Sequence, residues 1–285
     1  MKTAMSISQT ITLLCGLCFL PCANAATVTT QPITIDDPRP VAAAIEKLET
    51  IYAVPITYED TIYPNEGERA DVTEAISRTH NITRKVLVPK GGVPSFSYTP
   101  PPEDATLQVR MNMAQAAIID LLSHYNQGRN SQMFTFLKTD SEFHVIAVQF
   151  VDEGGKIQKH SPLLDTPVTF TPLRPPTATI ANAGGALAGL MEAVTNASNI
   201  KVWGGQVPLN LFAHSPGNIT ASNEPARSVL DRLIKQIPVS VPSQPGPDGG
   251  TVPVPATLSW QLFCDPEPTL GCALSPTWST RLRWN

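Results

Sequence analysis

The chain has 285 residues, of which 42% are hydrophobic and 15% charged, and its formal net charge is -4. These values exclude a basic nucleic-acid-binding protein and a disordered chain, and they predict a mildly acidic globular protein of one or two domains. Proline is about twice as frequent as its usual share of roughly 5%. With 28 prolines against 17 glycines, long irregular connections must separate the regular elements.

The first 25 residues have the pattern of a secretory signal peptide. Lys2 precedes an apolar run over residues 11–20, and small residues follow it in the order typical of a cleavage site. We expect cleavage between Ala25 and Ala26, which gives an exported mature chain, periplasmic or secreted. The run is shorter than the ~18 residues of a membrane helix, and no later stretch predicts a membrane span. The alternatives are a retained anchor and a lipoprotein attached at Cys15, Cys18 or Cys22.

Removal of the signal peptide leaves two cysteines, Cys264 and Cys272. An even pair in an oxidising compartment favours a disulfide. The residues between them are rich in turn formers, so we expect the disulfide to close the tip of a hairpin.

Four segments place apolar side chains at the three- and four-residue spacing of amphipathic helices. They cover residues 41–52, 107–121, 187–194 and 226–237. Asp36 and Asp37 precede the first and suit an N-terminal cap. Alternating patterns predict strands at 54–58, 134–136, 144–150, 200–203, 257–263 and 281–284. The second and third of these strands are expected to form one hairpin, and the last two another.

Proline-rich connections divide the chain at residues 89–102, 166–176 and 238–256. We predict an α+β fold with an N-terminal sub-domain over 26–165, a linker over 166–180 and a C-terminal sub-domain over 181–285. Each sub-domain is expected to be a small sheet covered by a helix pair. The third connection is far longer than the usual 2–6 residues, so it is either a tolerated surface insertion or a functional loop.

Residues 33–41 and 219–227 show the same order of strand, capped turn with proline, and helix. This pattern indicates either a duplicated β-α-β unit or the chance similarity of two ordinary units. It resembles the short N-terminal modules of secretins and TonB-dependent receptors over 33–60 and 219–264, and that resemblance implies docking in the periplasm.

A second resemblance covers most of the mature chain. The stretches 36–60, 87–92, 207–211, 223–224 and 258–262 are similar to a group of exported bacterial proteins that have no assigned function. This resemblance implies export and an α+β architecture, and it assigns no catalytic residue.

The sequence contains no nucleophile elbow, phosphate-binding loop, dinucleotide fingerprint or zinc-binding helix motif. The histidines are scattered singly, and His144 is interpreted as a packed or edge residue of a strand, not as a base. Three histidines adjoin serines, but neighbours in sequence point to different sides and do not form a triad. Among the acidic pairs, Glu59 and Asp60 are interpreted as solvated loop charges. We therefore predict no catalytic, cofactor-binding or metal-binding residue.

The sequence favours a non-catalytic docking protein of the periplasm or cell envelope, with an envelope protein as partner and no nucleic acid. An exposed sheet edge or a proline-rich loop would engage that partner. The alternative is a hydrolase that acts on envelope material in a cleft between the sub-domains. The hydrolase requires a histidine within hydrogen-bond reach of a serine or carboxylate in a pocket, whereas the docking protein requires an unpaired strand edge.

Overall fold

The computed structural model describes residues 29–78, 84–128, 132–172, 181–238, 244–245, 251–252 and 256–280. Helices and strands are both abundant in these ranges, so the predicted α+β class is confirmed. The predicted cleavage site between Ala25 and Ala26 lies outside the described residues. None of the described helices has both the length and the apolar composition to cross a bilayer.

All four helices predicted from apolar periodicity are present, together with two short ones. In chain order the described helices are α1 (Pro40–Tyr52), α2 (Thr73–Ser77), α3 (Leu107–Gln127), α4 (Ala183–Ser198), α5 (Leu209–His214) and α6 (Ala226–Lys235). The cap predicted for α1 differs in detail. Asp37 accepts a hydrogen bond from the backbone N–H of Arg39 at 2.7 Å, but Arg39 itself is the N-cap residue and makes no side-chain cap bond.

The first half of the chain forms a helix pair between two sheets. Its described strands are β1 (Gln31–Thr34), β2 (Ile56–Glu59), β3 (Arg69–Asp71), β4 (Leu87–Pro89), β5 (Ser95–Tyr98), β6 (Met133–Lys138), β7 (Phe143–Val151) and β8 (Ile157–Lys159). Strand β7 runs parallel to β2 and antiparallel to β6. Strands β1 and β5 pair antiparallel, and helices α1 and α3 share one buried cluster with both sheets.

The second half repeats this arrangement. Its described strands are β9 (Pro167–Phe170), β10 (Val202–Gly204), β11 (Ala221–Pro225), β12 (Gln244–Pro245), β13 (Thr251–Val252), β14 (Ala256–Cys264) and β15 (Cys272–Thr280). Strand β15 runs parallel to β10 and antiparallel to β14. Strands β9 and β11 pair antiparallel, and helices α4 and α6 share a second buried cluster with both sheets.

The two halves therefore have one topology, a strand, helix and strand followed by a strand, helix and two strands. Equivalent pairs are β1 and β9, α1 and α4, β2 and β10, β5 and β11, α3 and α6, β6 and β14, and β7 and β15. The resemblance noted between residues 33–41 and 219–227 aligns α1 with α6, but strand order makes α4 the equivalent of α1. Helices α1 and α6 both have a proline at their start, Pro40 and Pro225, whereas α4 starts after Asn182, so local pattern alone does not identify the repeat.

One central sheet contains strands from both halves, in the order β10-β15-β14-β2-β7-β6, with β8 added beside β7. The expected sub-domains therefore share their main sheet instead of having one each. Side chains alternate between the faces of a strand. On β7, Val145 belongs to the first buried cluster, while His144 stacks on Trp260 of the second. The helix pairs thus cover opposite faces of the sheet.

Two predicted connections differ from the structure. The expected linker over 166–180 includes β9, because Pro167–Phe170 pairs with β11; residues 173–180 lie outside the described part of the chain. The expected final hairpin pairs β14 with residues 281–284, which also lie outside the described part of the chain. In the structure β14 pairs with β15, which begins at Cys272, and the disulfide between Cys264 and Cys272 joins the first pair of residues after the turn.

Candidate functional site

The junction between the halves is a short parallel ladder of β14 against β2. Gln261 lies opposite Tyr58 and Leu262 opposite Glu59. The backbone N–H of Asp60 donates to the carbonyl of Leu262 at 2.9 Å. Because the ladder has so few backbone hydrogen bonds, much of the stability of the junction depends on side chains.

Asp60 is fully buried and binds the tip of the β14–β15 hairpin. Its carboxylate accepts from Arg39 Nε at 2.9 Å and from the backbone N–H of Cys264 at 3.3 Å. Arg39 Nη2 also donates to the carbonyl of Cys264 at 2.7 Å. The hydroxyls of Tyr58 and Tyr63 donate to the same carboxylate, and burial raises the pKa of both tyrosines, so they remain donors at neutral pH.

Glu59 provides a second buried link between the halves. One carboxylate oxygen accepts from Arg227 Nη2 at 2.8 Å, and the other from the backbone N–H of Leu164 at 2.9 Å. Arg227 also donates to Asp165 at 2.8 Å. Burial raises the pKa of Glu59 to about 7, although Arg227 opposes this effect. The interpretation of Glu59 and Asp60 as solvated charges is wrong, because β14 covers the edge of β2 at which they lie.

His144 is buried, as its strand pattern predicted, and it lies between a hydroxyl and a carboxylate. Its Nδ1 is 2.8 Å from Thr57 Oγ1, and its Nε2 is 3.4 Å from Asp231 Oδ2. The sequence of hydroxyl, imidazole and carboxylate groups resembles that of a catalytic triad. Thr57 is only 1% exposed, however, so a substrate cannot reach its hydroxyl. Burial lowers the pKa of His144 to about 4, which keeps the imidazole neutral at pH 7.

Glu142, His144 and Asp231 each place one ligand atom within 4.8 Å of the others, a set that could hold a divalent transition metal. Lys235 Nζ already lies 2.6 Å from Glu142 Oε1. The ammonium group therefore supplies positive charge where an ion would bind. Sequence spacing did not reveal this cluster, because Glu142 precedes β7, His144 lies on β7 and Asp231 lies on α6.

A cleft of about 540 Å³ lies beside the junction and is lined from both halves. His160 and Ser161 line it, but the Nε2 atom of His160 is buried and has no hydrogen-bond partner in the described part of the chain. The other described serine–histidine neighbours use their side chains locally. His214 Nδ1 lies 2.7 Å from the carbonyl of Asn210, and Ser215 donates to the carbonyl of Leu211.

The outer edge of β6 has no strand beside it among the described residues. Thr139 N donates to Glu142 O, toward β7. Because backbone groups alternate between the two edges of a strand, those of Phe136 face outward. Asn126 bonds both backbone groups of Phe134 at the same edge, with distances of 3.0 and 2.8 Å. The open edge therefore begins after Phe134.

The opposite end of the central sheet is β10. The carbonyl of Lys201 and the N–H of Gly205 both bond to β15, so the backbone groups of Val202 and Gly204 face outward. The N–H of Val202 donates to Thr195 Oγ1 at 2.9 Å. Gly204 is exposed and lies directly on this edge.

Of the residues singled out from sequence, Cys264 and Cys272 form the expected disulfide. Most of the 238–256 connection lies outside the described residues; within its described part, Gln244–Pro245 pairs antiparallel with Thr251–Val252.

Comparison with known proteins assigns no family. No family model matches the chain, and neither a curated protein nor a solved structure is detectably similar to it.

Proposed function

We propose that the protein is an exported, non-catalytic docking protein of the periplasm or cell envelope, and that an extended strand of a protein partner adds to the free edge of β6. The disulfide between Cys264 and Cys272 supports an oxidising compartment. Strand addition obtains affinity from main-chain hydrogen bonds and specificity from neighbouring side chains.

The observation that carries the proposal is the different use of two equivalent edges. In the second half, β14 holds a strand on its outer edge, namely β2, in parallel orientation. Its counterpart β6 has the same neighbour relationship to β7 that β14 has to β15, but its outer edge is bare in the described structure. The fold thus contains one filled and one empty version of the same edge.

The surface of β6 suits a strand partner. The backbone groups of Phe136 face outward, and the side chains of Met133 and Leu137 are 36% and 45% exposed. Natural sheet edges are commonly protected by charged residues or by a covering segment. On β6 a charged residue, Lys138, stands at the end of the strand, and the covering contact described is that of Asn126 with Phe134, which leaves the residues between Phe134 and Lys138 accessible.

The hydrolase alternative receives less support from the geometry. His160 is the described histidine that lines the cleft, and no described hydroxyl or carboxylate contacts its Nε2. His144 has both partners but is buried with them. General base catalysis requires a histidine that can reach the proton of an accessible nucleophile.

The test compares two matched lysine variants of the mature chain. Leu137→Lys places a charge on the β6 edge, whereas Ile119→Lys makes the same change at an exposed position of α3. Tagged proteins are incubated with an envelope extract from the source organism, and captured proteins, including untagged copies of the chain, are quantified by mass spectrometry. We expect capture by the wild type and Ile119→Lys, and its loss with Leu137→Lys. Absence of specific capture, or equal capture by all three proteins, contradicts the proposal.

A further inference from the structure

We propose that the strand added to β6 is β10 of a second copy of the same chain, so that copies join head to tail and continue the central sheet. This inference rests on the proposed docking function of the β6 edge. The pairing of β14 with β2 inside the chain serves as the template for this contact between copies.

The equivalence of the halves defines the register of such a contact. Phe143 N donates to the carbonyl of Pro55, and Cys272 N donates to the carbonyl of Lys201 in the same way. These bonds make Val202 the counterpart of Ile56, and Gly204 the counterpart of Tyr58.

The residues opposite β6 and β14 in their hairpins show which positions of these two strands are equivalent. Phe136 lies opposite Val145 on β7, and Leu262 lies opposite Leu274 on β15. Both partners are the third residue of their strands, so Phe136 is the counterpart of Leu262. By the same step, Thr135 is the counterpart of Gln261.

The internal junction places Gln261 opposite Tyr58 and Leu262 opposite Glu59. Transferred to two copies, the register places Thr135 of one copy opposite Gly204 of the next, and Phe136 opposite Gly205. In this register the N–H of Phe136 faces the carbonyl of Gly204, whereas the N–H of Gln206, the counterpart of the Asp60 N–H, must exchange its 3.1 Å bond to Ser275 Oγ for one to the carbonyl of Phe136.

Strand direction and helix placement permit this contact to repeat. Strand β2 is parallel to β14, which is antiparallel to β15, and β15 is parallel to β10. The second half is therefore related to the first by a half-turn about an axis across the strands and a shift along the sheet. A second such step restores the original orientation, so the next copy presents its β10 in the direction required by β6 of the first copy. The interface is heterologous, and it produces chains or rings of copies instead of a closed two-fold dimer.

Large apolar side chains are exposed at both edges of the central sheet, as expected of surfaces that a second copy would cover. Leu137 and Trp203 are 45% and 43% exposed, although both are large and apolar. Leu137 is the counterpart of Phe263, which packs against the helix layer of the other half and contacts Tyr58 at a ring-centroid distance of 5.8 Å. In the assembly, Leu137 would pack on the α4 side of the next copy.

The contact between copies is expected to be weaker than the junction within the chain. Gly205 and Gln206 stand where the first half has Glu59 and Asp60, so the buried ion pairs with Arg227 and Arg39 have no equivalent. Assembly should consequently depend on protein concentration.

Engineered cysteines in the mature chain test the register. In Thr135→Cys/Gly204→Cys, the new side chains share one face of the sheet, and the Cβ at Gly204 has its nearest neighbour at 3.5 Å, an ordinary contact. The control Leu137→Cys/Gly204→Cys uses the same face two positions away. We expect mild oxidation of concentrated protein to give a ladder of covalent multimers with the first variant, and loss of that ladder with the control. Light scattering of the wild type should show mass increasing with concentration, and Leu137→Lys should abolish the increase.

The outcomes separate this inference from the docking proposal. Equal cross-linking of both cysteine pairs, or none with a wild type that stays monomeric, overturns head-to-tail assembly. If Leu137→Lys nevertheless loses a different captured protein, docking at β6 stands and only its partner changes. If neither assembly nor capture depends on β6, both proposals are wrong.

Discussion

Arg227, at the start of α6, donates through Nη2 to Glu59 Oε2 at the end of β2, at 2.8 Å. The two residues belong to different halves of the chain, and both are almost completely buried. The same guanidinium bonds Asp165 and lies over the ring of Trp260, 5.8 Å from its centroid. A single side chain thus connects the central sheet, the second helix pair and the segment between the halves.

Replacement of Arg227 is expected to destabilise the whole protein. Arg227→Met leaves the carboxylate of Glu59 buried without its cation, which costs about 3–5 kcal/mol for a buried pair. Arg232→Met is the matched control, because Arg232 lies on the same helix and pairs with Glu224 near the surface, where ion pairs contribute little to stability. Urea unfolding of both variants measures the difference. Equal losses would show that the Glu59 contact adds nothing specific.

The buried His144 is expected to make stability fall in acid. Its pKa is lowered by burial from 6.5 to about 4, so between these pH values the unfolded chain binds a proton that the folded chain does not. The resulting stabilisation is present above pH 6.5 and is lost as the pH falls toward 4, with an upper limit of about 3 kcal/mol. The measurement is the unfolding free energy of the wild type minus that of His144→Gln at pH 7.5 and 4.5. The difference should be larger at pH 7.5; a pH-independent difference contradicts the assignment.

The disulfide is expected to stabilise the hairpin tip that Asp60 and Arg39 bind. Cys264 and Cys272 are separated by 8 positions, and closing so short a loop is worth about 2–3 kcal/mol in the chain-entropy description. Cys264→Ser/Cys272→Ser should lose about that amount in urea unfolding. Thiol labelling of the native mature chain, without reductant, should find neither cysteine reactive, and labelling of both would disprove the bond.

Two glycines with nearly the same positive φ angle are expected to differ in their tolerance of alanine. Gly155 and Gly271 have φ values of 77° and 78°, a region in which alanine is strained at either position. A Cβ at Gly155 meets nothing within 4 Å, whereas one at Gly271 would clash with the carbonyl oxygen of Lys201. That oxygen accepts the bond from Cys272 that joins β10 to β15. Thermal unfolding should therefore show a clearly larger loss for Gly271→Ala than for Gly155→Ala.

Local periodicity was sufficient to predict the four long helices and most of the central strands. Helix α6, for example, has its apolar residues at three- and four-residue steps, and Val229, Leu230 and Leu233 are all buried as that spacing requires. The disulfide also followed from sequence, because only two cysteines remain outside the predicted signal peptide.

The junction was not predictable in this way. Glu59 and Asp60 have the composition of a solvated strand end, and their burial depends on β14, which is about 200 positions away in sequence. Arg227, the partner of Glu59, is likewise distant at 168 positions, whereas Arg39 lies 21 positions before Asp60. The available signal was indirect: two carboxylates follow directly after the apolar alternation of Ile56 and Tyr58.

Equivalent positions of the two halves have different surroundings. Tyr58 is enclosed by its own helix pair and by the β14–β15 hairpin, whereas its counterpart Gly204 lies exposed at the end of the sheet. A substitution that the second half accepts at such a position would therefore unfold the first. The two members of such an equivalent pair are therefore under different structural constraints. The halves correspond in the order and direction of their strands, although residues at equivalent positions differ.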